Sequence, residues 1–423
     1  MSFSKLGLTS SLCVPLARLG YEQPTPIQAQ AIPAVLTGTD LLARAQTGTG
    51  KTAAFGLPMI QRIVARRHGG RPRLPRGLVL LPTRELAAQV HRSLSTYGVS
   101  VQLRVTAIFG GVGMGAQIQS LRRGTDIVVS TPGRLIDHMQ RRTVDLSAIE
   151  ILTLDEADRM LDLGFLPPLR RVVASLPRSR QTLLFSATLS DAVIGLAAEF
   201  TDNPARVDVS DGQAVARTVT HHLHTVPVDQ KRAALTHVLT QEAGSQALVF
   251  CKTKRGSDRV GEHLERAGIK TAVIHGNKSQ GARTRALGDF KVGRVHVLVA
   301  TDIAARGLDI AQLPLVINYD LPLVAEDYIH RVGRTGRAGR SGRAVSLVSP
   351  ADSLLLRDIQ RLLPAPIEQV AIPGFAPHAE PSIHKPSRVR DESRRTAFSR
   401  LQRITKRKAR HRRVQKTLAV LGR

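Results

Sequence analysis

Three short segments bring together residue types that handle phosphate. Residues 45–52 read A-Q-T-G-T-G-K-T, preceded by the apolar D-L-L-A and followed by the helix-like A-A-F-G-L-P-M-I. Strand, glycine-bearing loop and helix in that order aim backbone N–H groups and a helix N-terminus at phosphate. Lys51 is then placed to reach the β- and γ-phosphates of a nucleotide, and the Thr52 hydroxyl to sit on Mg2+. The generic pattern begins with Gly, where this chain has Ala45. Residues 151–158, I-L-T-L-D-E-A-D, are an apolar run ending in acids, and the ends of strands are where an open α/β sheet binds its ligands. Asp155 is the candidate for holding Mg2+ and Glu156 for orienting and deprotonating an attacking water, since phosphoryl transfer to water needs a carboxylate for each task. Residues 330–337, H-R-V-G-R-T-G-R, carry an Arg at every third position, a pattern that fits a solvated basic face as readily as a phosphate grip.

The elements that must position these groups alternate in type. Short apolar runs occur at 77–82, 104–110, 126–131, 151–156 and 181–186, and again at 247–251, 271–276, 295–302, 315–320 and 344–349, separated by helix-like stretches. That rhythm implies an α/β chain with mostly parallel strands in two similar domains. T-D-N-P and D-G-Q-A break it between 203 and 219. The expected division is a first domain over 1–205, a linker over 206–218, a second domain over 219–363 and a tail over 364–423. In the second half the run A-L-V-F-C, taken as that domain's first strand, leads into K-T-K-R-G-S-D with no Gly-x-Gly-Lys. One nucleotide per chain, held mostly by the first domain, is expected.

Composition narrows the partners. The 423 residues hold 61 Lys and Arg against 33 Asp and Glu, a net +28, which points to a polyanion such as nucleic acid. Aromatic residues are 3% and Trp is absent, so contacts to nucleic acid must lean on Arg, Lys and backbone rather than on stacking. From Lys385 onward the chain has 15 Lys and Arg and 2 Asp and Glu, +13 of the total. This basic, largely disordered tail is expected to act as an extra anchor for nucleic acid. Cys13 and Cys251 stand in no disulfide or metal-site spacing. No apolar run approaches the ~20 residues that span a bilayer, and the N-terminus lacks an apolar signal segment. A cytoplasmic protein with no membrane partner is expected.

With the phosphate loop and D-E-A-D in view, residues 3–350 resemble the DEAD-box family of RNA helicases, and within it most nearly the bacterial RhlE-type group, on phrases such as S-Q-G-A-R-T-R-A-L. The family's own phosphate loop begins with Ala, which accounts for Ala45. The resemblance implies two tandem RecA-like domains, ATP and Mg2+ as cofactors, and RNA as partner. It implies that G-Y-E-Q-P-T-P-I-Q reads adenine through Gln28 with Tyr21 packed nearby and Phe3 as the upstream aromatic. Ala45, Gln46, Thr47, Gly48, Thr49 and Gly50 then cradle the phosphates, and Asp309 meets the ribose. Ser186 and Thr188 of S-A-T bond the acidic motif at Asp158 and couple hydrolysis to strand separation, and His330 links to the same motif. Arg334 and Arg337 become arginine fingers. RNA contacts are implied at Thr83, Arg84, Gly110, Gly111, Thr131 and Arg134 in the first domain and at Gln280, Arg283 and Thr301 in the second. The activity implied is ATP hydrolysis with local unwinding or remodelling of RNA. The alternative is an ATP-gated RNA clamp with little turnover. A DNA translocase is set aside on the resemblance alone. A small kinase or GTPase leaves the adenine-type motif, the second domain and the basic tail without a purpose.

Overall fold

The computed structural model describes residues 2–46, 48–65, 73–209, 219–242, 244–305, 310, 313–336, 342–363 and 365–375. The first sheet comprises β1 (Leu41–Arg44), β2 (Gly77–Leu80), β3 (Val105–Ile108), β4 (Ile127–Ser130), β5 (Ile151–Leu154), β6 (Gln181–Ser186) and β7 (Ala205–Asp208) in the order β3-β4-β2-β5-β6-β1-β7. The second comprises β8 (Val219–Thr225), β9 (Ala247–Cys251), β10 (Thr271–Ile274), β11 (Val297–Thr301), β12 (Leu315–Asn318), β13 (Gly342–Val348) and β14 (Glu368–Gln369) in the order β10-β11-β9-β12-β13-β8-β14. The pairings are parallel and the two orders are the same permutation.

Parallel strands need a crossover between them, and the crossover helices cover both faces of each sheet, so the central strands are apolar throughout rather than alternating. β2, β4, β5, β6 and β9 are buried along their whole length. One face of the first sheet packs around Phe55 and Phe185, whose rings meet at 5.5 Å, and the other around Leu154, Met160 and Leu184. Truncating a ring buried like Phe185 to Ala costs about 3–5 kcal/mol.

Three strands depart from the sequence expectation. β7 pairs with β1 from Leu41↔Ala205 to Arg44↔Asp208, so the first sheet runs past the expected domain end at 205. β8 precedes A-L-V-F-C, which is β9; the counterpart of β1 in the second sheet is therefore β8. β14 and the Val370 N–H bonded to the Leu223 carbonyl (2.8 Å) lie beyond 363, as do Ile372 and Phe375, which pack on the second core. The second domain thus includes part of the segment expected as tail. Residues 210–218 of the expected linker, and the basic tail from 376 on, lie outside the described residues. Both cysteines are free thiols. No helix among the described residues is long and apolar enough to cross a membrane.

Candidate functional site

The phosphate loop leaves β1 and turns into the Lys51–Ala65 helix. Gly48 and Gly50 take φ of +87° and +94°, left-handed values that glycine adopts at no steric cost. Gly50 also lies against Gln28: a Cβ there stands 2.4 Å from the Gln28 amide nitrogen. Gln28 donates from Nε2 to the Gly50 carbonyl (3.2 Å), and its Oε1 accepts from the Thr25 N–H (2.9 Å), closing a capping box on the Pro26–Thr37 helix. The expected adenine reader is thereby also a brace between its own helix and the loop. Tyr21 donates to or accepts from the Tyr97 hydroxyl at 3.0 Å, with Phe3 buried beside it at 6.3 Å between rings. At the loop's start the Ala45 N–H bonds the Ser186 carbonyl (2.9 Å). Thr47 lies outside the described residues.

Lys51 is 5% exposed; its ammonium pairs with Asp155 Oδ1 at 3.4 Å and has no hydrogen-bond partner among the described residues. Burial works against this cation, yet Asp155, Glu156 and Asp158 together raise its pKa. Asp155 and Glu156 are buried at the end of β5, and Glu156 holds φ of +55°. That left-handed conformation costs a non-glycine residue about 1–3 kcal/mol and is concentrated at functional sites. Burial raises the Glu156 carboxyl above its ordinary value of 4.5; Asp155 and Asp158 add to the rise while Lys51 and Arg334 oppose it. A desolvated ammonium with unused donors beside two carboxylates suits a polyphosphate carrying a divalent cation. Mg2+ takes one or two carboxylates and completes its shell with phosphate oxygens and water, and the buried Asp155 at the end of β5 offers such a carboxylate.

Asp158 Oδ2 accepts from the Ala187 and Thr188 N–H groups (3.0 Å each) and the Thr188 hydroxyl (3.2 Å). The acidic motif and S-A-T are thus bonded through Ala187 and Thr188, while Ser186 serves the phosphate loop with its carbonyl. A cavity of about 360 Å3 opens between the two sheets, walled by Glu156, Asp158 and Thr188 from the first and by His330 and Arg334 from the second. Burial lowers the His330 pKa, with Asp158 opposing. Arg334 is buried, and Arg337 and Asp309 lie outside the described residues.

A second buried arginine precedes Arg334. Arg331, three positions earlier on the Ala325–Val332 helix, binds both Asp302 oxygens (2.6 and 2.7 Å), the Asn318 amide oxygen (2.9 Å) and the Asp320 carbonyl (2.6 Å), and stacks 4.9 Å over Phe250. The Arg-every-three pattern contained it. Its position on the inner face of that helix makes Arg331 an anchor within the second domain, whereas Arg334 lines the cavity.

A second cluster lies where the Arg84–Tyr97 and Gln280–Lys291 helices face each other. Arg84 lies so close over Gly110 and Gly111 that a Cβ on Gly111 stands 2.0 Å from its guanidinium, and Gly111 has φ of +77°. Thr83 caps its helix by accepting from the Leu86 N–H, and Thr131 stands at the N-cap of the Pro132–Gln140 helix. Arg134 donates to the Val112 carbonyl (3.1 Å). Thr301 is buried at the end of β11. Gln280 and Arg283 reach across to one carboxylate, Glu85, at 2.9 Å each. Glu85 was not among the expected site residues, although P-T-R-E-L contains it.

The chain matches the family model described as DEAD/DEAH box helicase over residues 25–195, and that described as helicase conserved C-terminal domain over 230–339. It is 42% identical over 374 residues to the ATP-dependent RNA helicase DeaD of Klebsiella pneumoniae, covering 88% of this chain and 57% of that protein. It is 43% identical over 378 residues to the RNA helicase CrhR of Synechocystis, covering 88% and 75%. This chain therefore spans less than three fifths of the DeaD relative. Among solved structures, S. cerevisiae Dbp5 bound to RNA and ADP BeF3 superposes with a TM-score of 0.77 at 31% identity, covering 88% of this chain and 95% of that one.

Proposed function

This chain belongs to the DEAD-box helicase family, with two tandem RecA-like domains, and from that premise we propose that it is an ATP-dependent RNA helicase that locally unwinds or remodels RNA. The observation that supports the reading most is the buried Lys51 ammonium, 3.4 Å from Asp155 and without a hydrogen-bond partner among the described residues, with Glu156 beside it lining a cavity that Arg334 lines from the other domain.

Backbone N–H groups of residues 45–50 and the Lys51 ammonium hold the β- and γ-phosphates, Gln28 and Tyr21 receive the adenine, and Asp309 the ribose. Thr52 and Asp155 would hold Mg2+, which would supply positive charge to the polyphosphate when bound. Glu156 takes the proton of the attacking water, and its raised pKa brings it nearer the proton it must accept. Arg334, with Arg337, meets the charge that develops on the transferred phosphoryl group. Because those arginines belong to the second domain, turnover requires closure. Asp158, bonded to Ala187 and Thr188 and facing His330, carries the closed state to the RNA side. Thr83, Arg84, Gly110, Gly111, Thr131 and Arg134 grip one strand from the first domain, and Gln280, Arg283 and Thr301 from the second. The tail past Lys385 adds a sequence-indifferent anchor, and the protein acts in the cytoplasm.

The test is ATP hydrolysis by the full chain with no nucleic acid, with RNA, and with DNA of the same sequence. RNA-stimulated turnover with little response to DNA is expected. Equal stimulation by DNA overturns the RNA assignment, and ATP-dependent RNA retention without turnover makes the protein a clamp.

A further inference from the structure

A buried histidine joins the two parts of the first domain assigned to gripping RNA. Gly110 and Gly111 follow β3, and the Met114–Arg122 helix after them carries Gln117. The Pro132–Gln140 helix carries Arg134 in its first turn and His138 one turn later. His138 is fully buried and Gln117 nearly so. The Gln117 Nε2 donates to the carbonyl of Phe109, the residue directly before Gly110, at 2.9 Å. A carbonyl only accepts, so the amide orientation is fixed, and Gln117 Oε1 must face His138 Nε2 at 3.1 Å. His138 Nε2 therefore carries the hydrogen. Its Nδ1 meets the Thr143 hydroxyl at 2.8 Å. Near the surface, Arg134 bonds the Val112 carbonyl. The turn at 109–112 is held to the Pro132–Gln140 helix at both ends, once in the core and once outside.

We propose that the Gln117–His138 pair is a positioning strut for RNA binding, fixing the Gly110–Gly111 turn against Thr131 and Arg134 so that both meet one strand in register. A satisfied polar pair in an apolar core serves stability wherever it stands. This one ends on the carbonyl that opens the gripping turn, so losing its donor leaves Gln117 Oε1 buried without a partner and frees Gln117 to turn away from Phe109. The strut rests on the reading of these residues as RNA contacts, so the test has one arm that needs RNA and one that does not.

His138→Gln sets an amide N–H where Nε2 stands, and His138→Asn sets one where Nδ1 stands. In the full chain the Gln variant should keep the wild-type KM for RNA, while the Asn variant raises it about tenfold or more, the usual consequence of stranding one buried acceptor. The kcat at saturating RNA and the ATP affinity should stay unchanged in both. Without RNA, hydrogen exchange of the amides at 110–113 should quicken in the Asn variant and not in the Gln variant. Equal behaviour of the two variants in exchange overturns the strut. A difference in exchange with no difference in KM overturns its role in RNA binding. Absence of any RNA effect in the unaltered chain defeats the helicase reading, and exchange alone then decides the strut.

Discussion

Lys51 and Lys231 stand at the same place in two sheets of identical strand order, each the first residue of the helix that follows the first strand, after β1 and after β8. Each is 5% exposed. Lys231 is satisfied by its own domain: its ammonium bonds the Tyr319 carbonyl (3.3 Å) and pairs with Asp352 (3.1 Å). Lys51 forms a longer ion pair, 3.4 Å to Asp155, and makes no hydrogen bond among the described residues. The approaches differ in the same sense. Gly48 and Gly50 open the first loop with left-handed turns, whereas the second, V-P-V-D-Q at 226–230, has no glycine and loses an N–H donor at Pro227. One fold thus holds a buried lysine twice, once as a structural cross-link within its domain and once paired only loosely with an acid at a strand end. The second is the one proposed to meet nucleotide.

The largest expected effect comes from the arm that the second domain lends to the first. Arg334→Ala should lower RNA-stimulated turnover by ~10³–10⁵ with ATP binding retained, as read by steady-state phosphate release beside equilibrium nucleotide binding. Turnover within a few fold of the unaltered chain would remove Arg334 from the transferred phosphoryl group and leave it a buried structural arginine. Glu156→Gln should cost ~10²–10⁴ in turnover while RNA is still retained in the presence of ATP. Burial raises the Glu156 pKa, so the base is ionised, and competent, only as pH climbs through a value above 4.5. The acid limb of kcat/KM should therefore lie above that value and vanish in the variant.

Lys231→Ala sharpens the comparison from the other side. It leaves Asp352, three quarters buried, without its cation. Roughly 2–3 kcal/mol of stability should be lost, less than for a fully enclosed pair because Asp352 keeps some water. Nucleotide affinity should not move, and a thermal melt with a nucleotide titration reads both. A smaller change is expected with pH in both domains. Burial lowers the pKa of His91 and His138 in the first and His224 in the second from 6.5. The unfolded chain then takes these protons first as pH falls, so stability rises with pH through this range. The melting temperature should drop below about pH 6.5 and level off once the folded histidines protonate too. A melt that is flat from pH 7.5 to 5 contradicts the buried neutral imidazoles.

What the sequence displayed depends on how each residue works. The phosphate loop and D-E-A-D were legible because backbone geometry demands glycines and handling a metal and a water at a strand end demands adjacent acids, and both requirements are local. β8 was passed over because V-T-H-H-L-H-T mixes polar residues into a strand, and β7 and β14 because A-R-V-D and E-Q carry little apolar signal at a sheet edge. Missing β8 also displaced the comparison of the two loops onto the turn after β9. Glu85 and Arg331 were within quoted motifs yet unassigned, since one acts by meeting Gln280 and Arg283 from 195 and 198 positions away and the other by facing inward one turn before Arg334. Long-range pairing and helix facing are set by packing, and no short pattern encodes them.

The claim that one buried lysine binds nucleotide and its twin does not is tested most directly by calorimetric titration of a non-hydrolysable ATP analogue with Mg2+ into the full chain, its Lys51→Ala variant and its Lys231→Ala variant. The account predicts one site in the unaltered chain, the same site in folded Lys231→Ala, and affinity weakened by at least about a hundredfold in Lys51→Ala. Two sites in the unaltered chain, or binding that survives Lys51→Ala and disappears with Lys231→Ala, would contradict it.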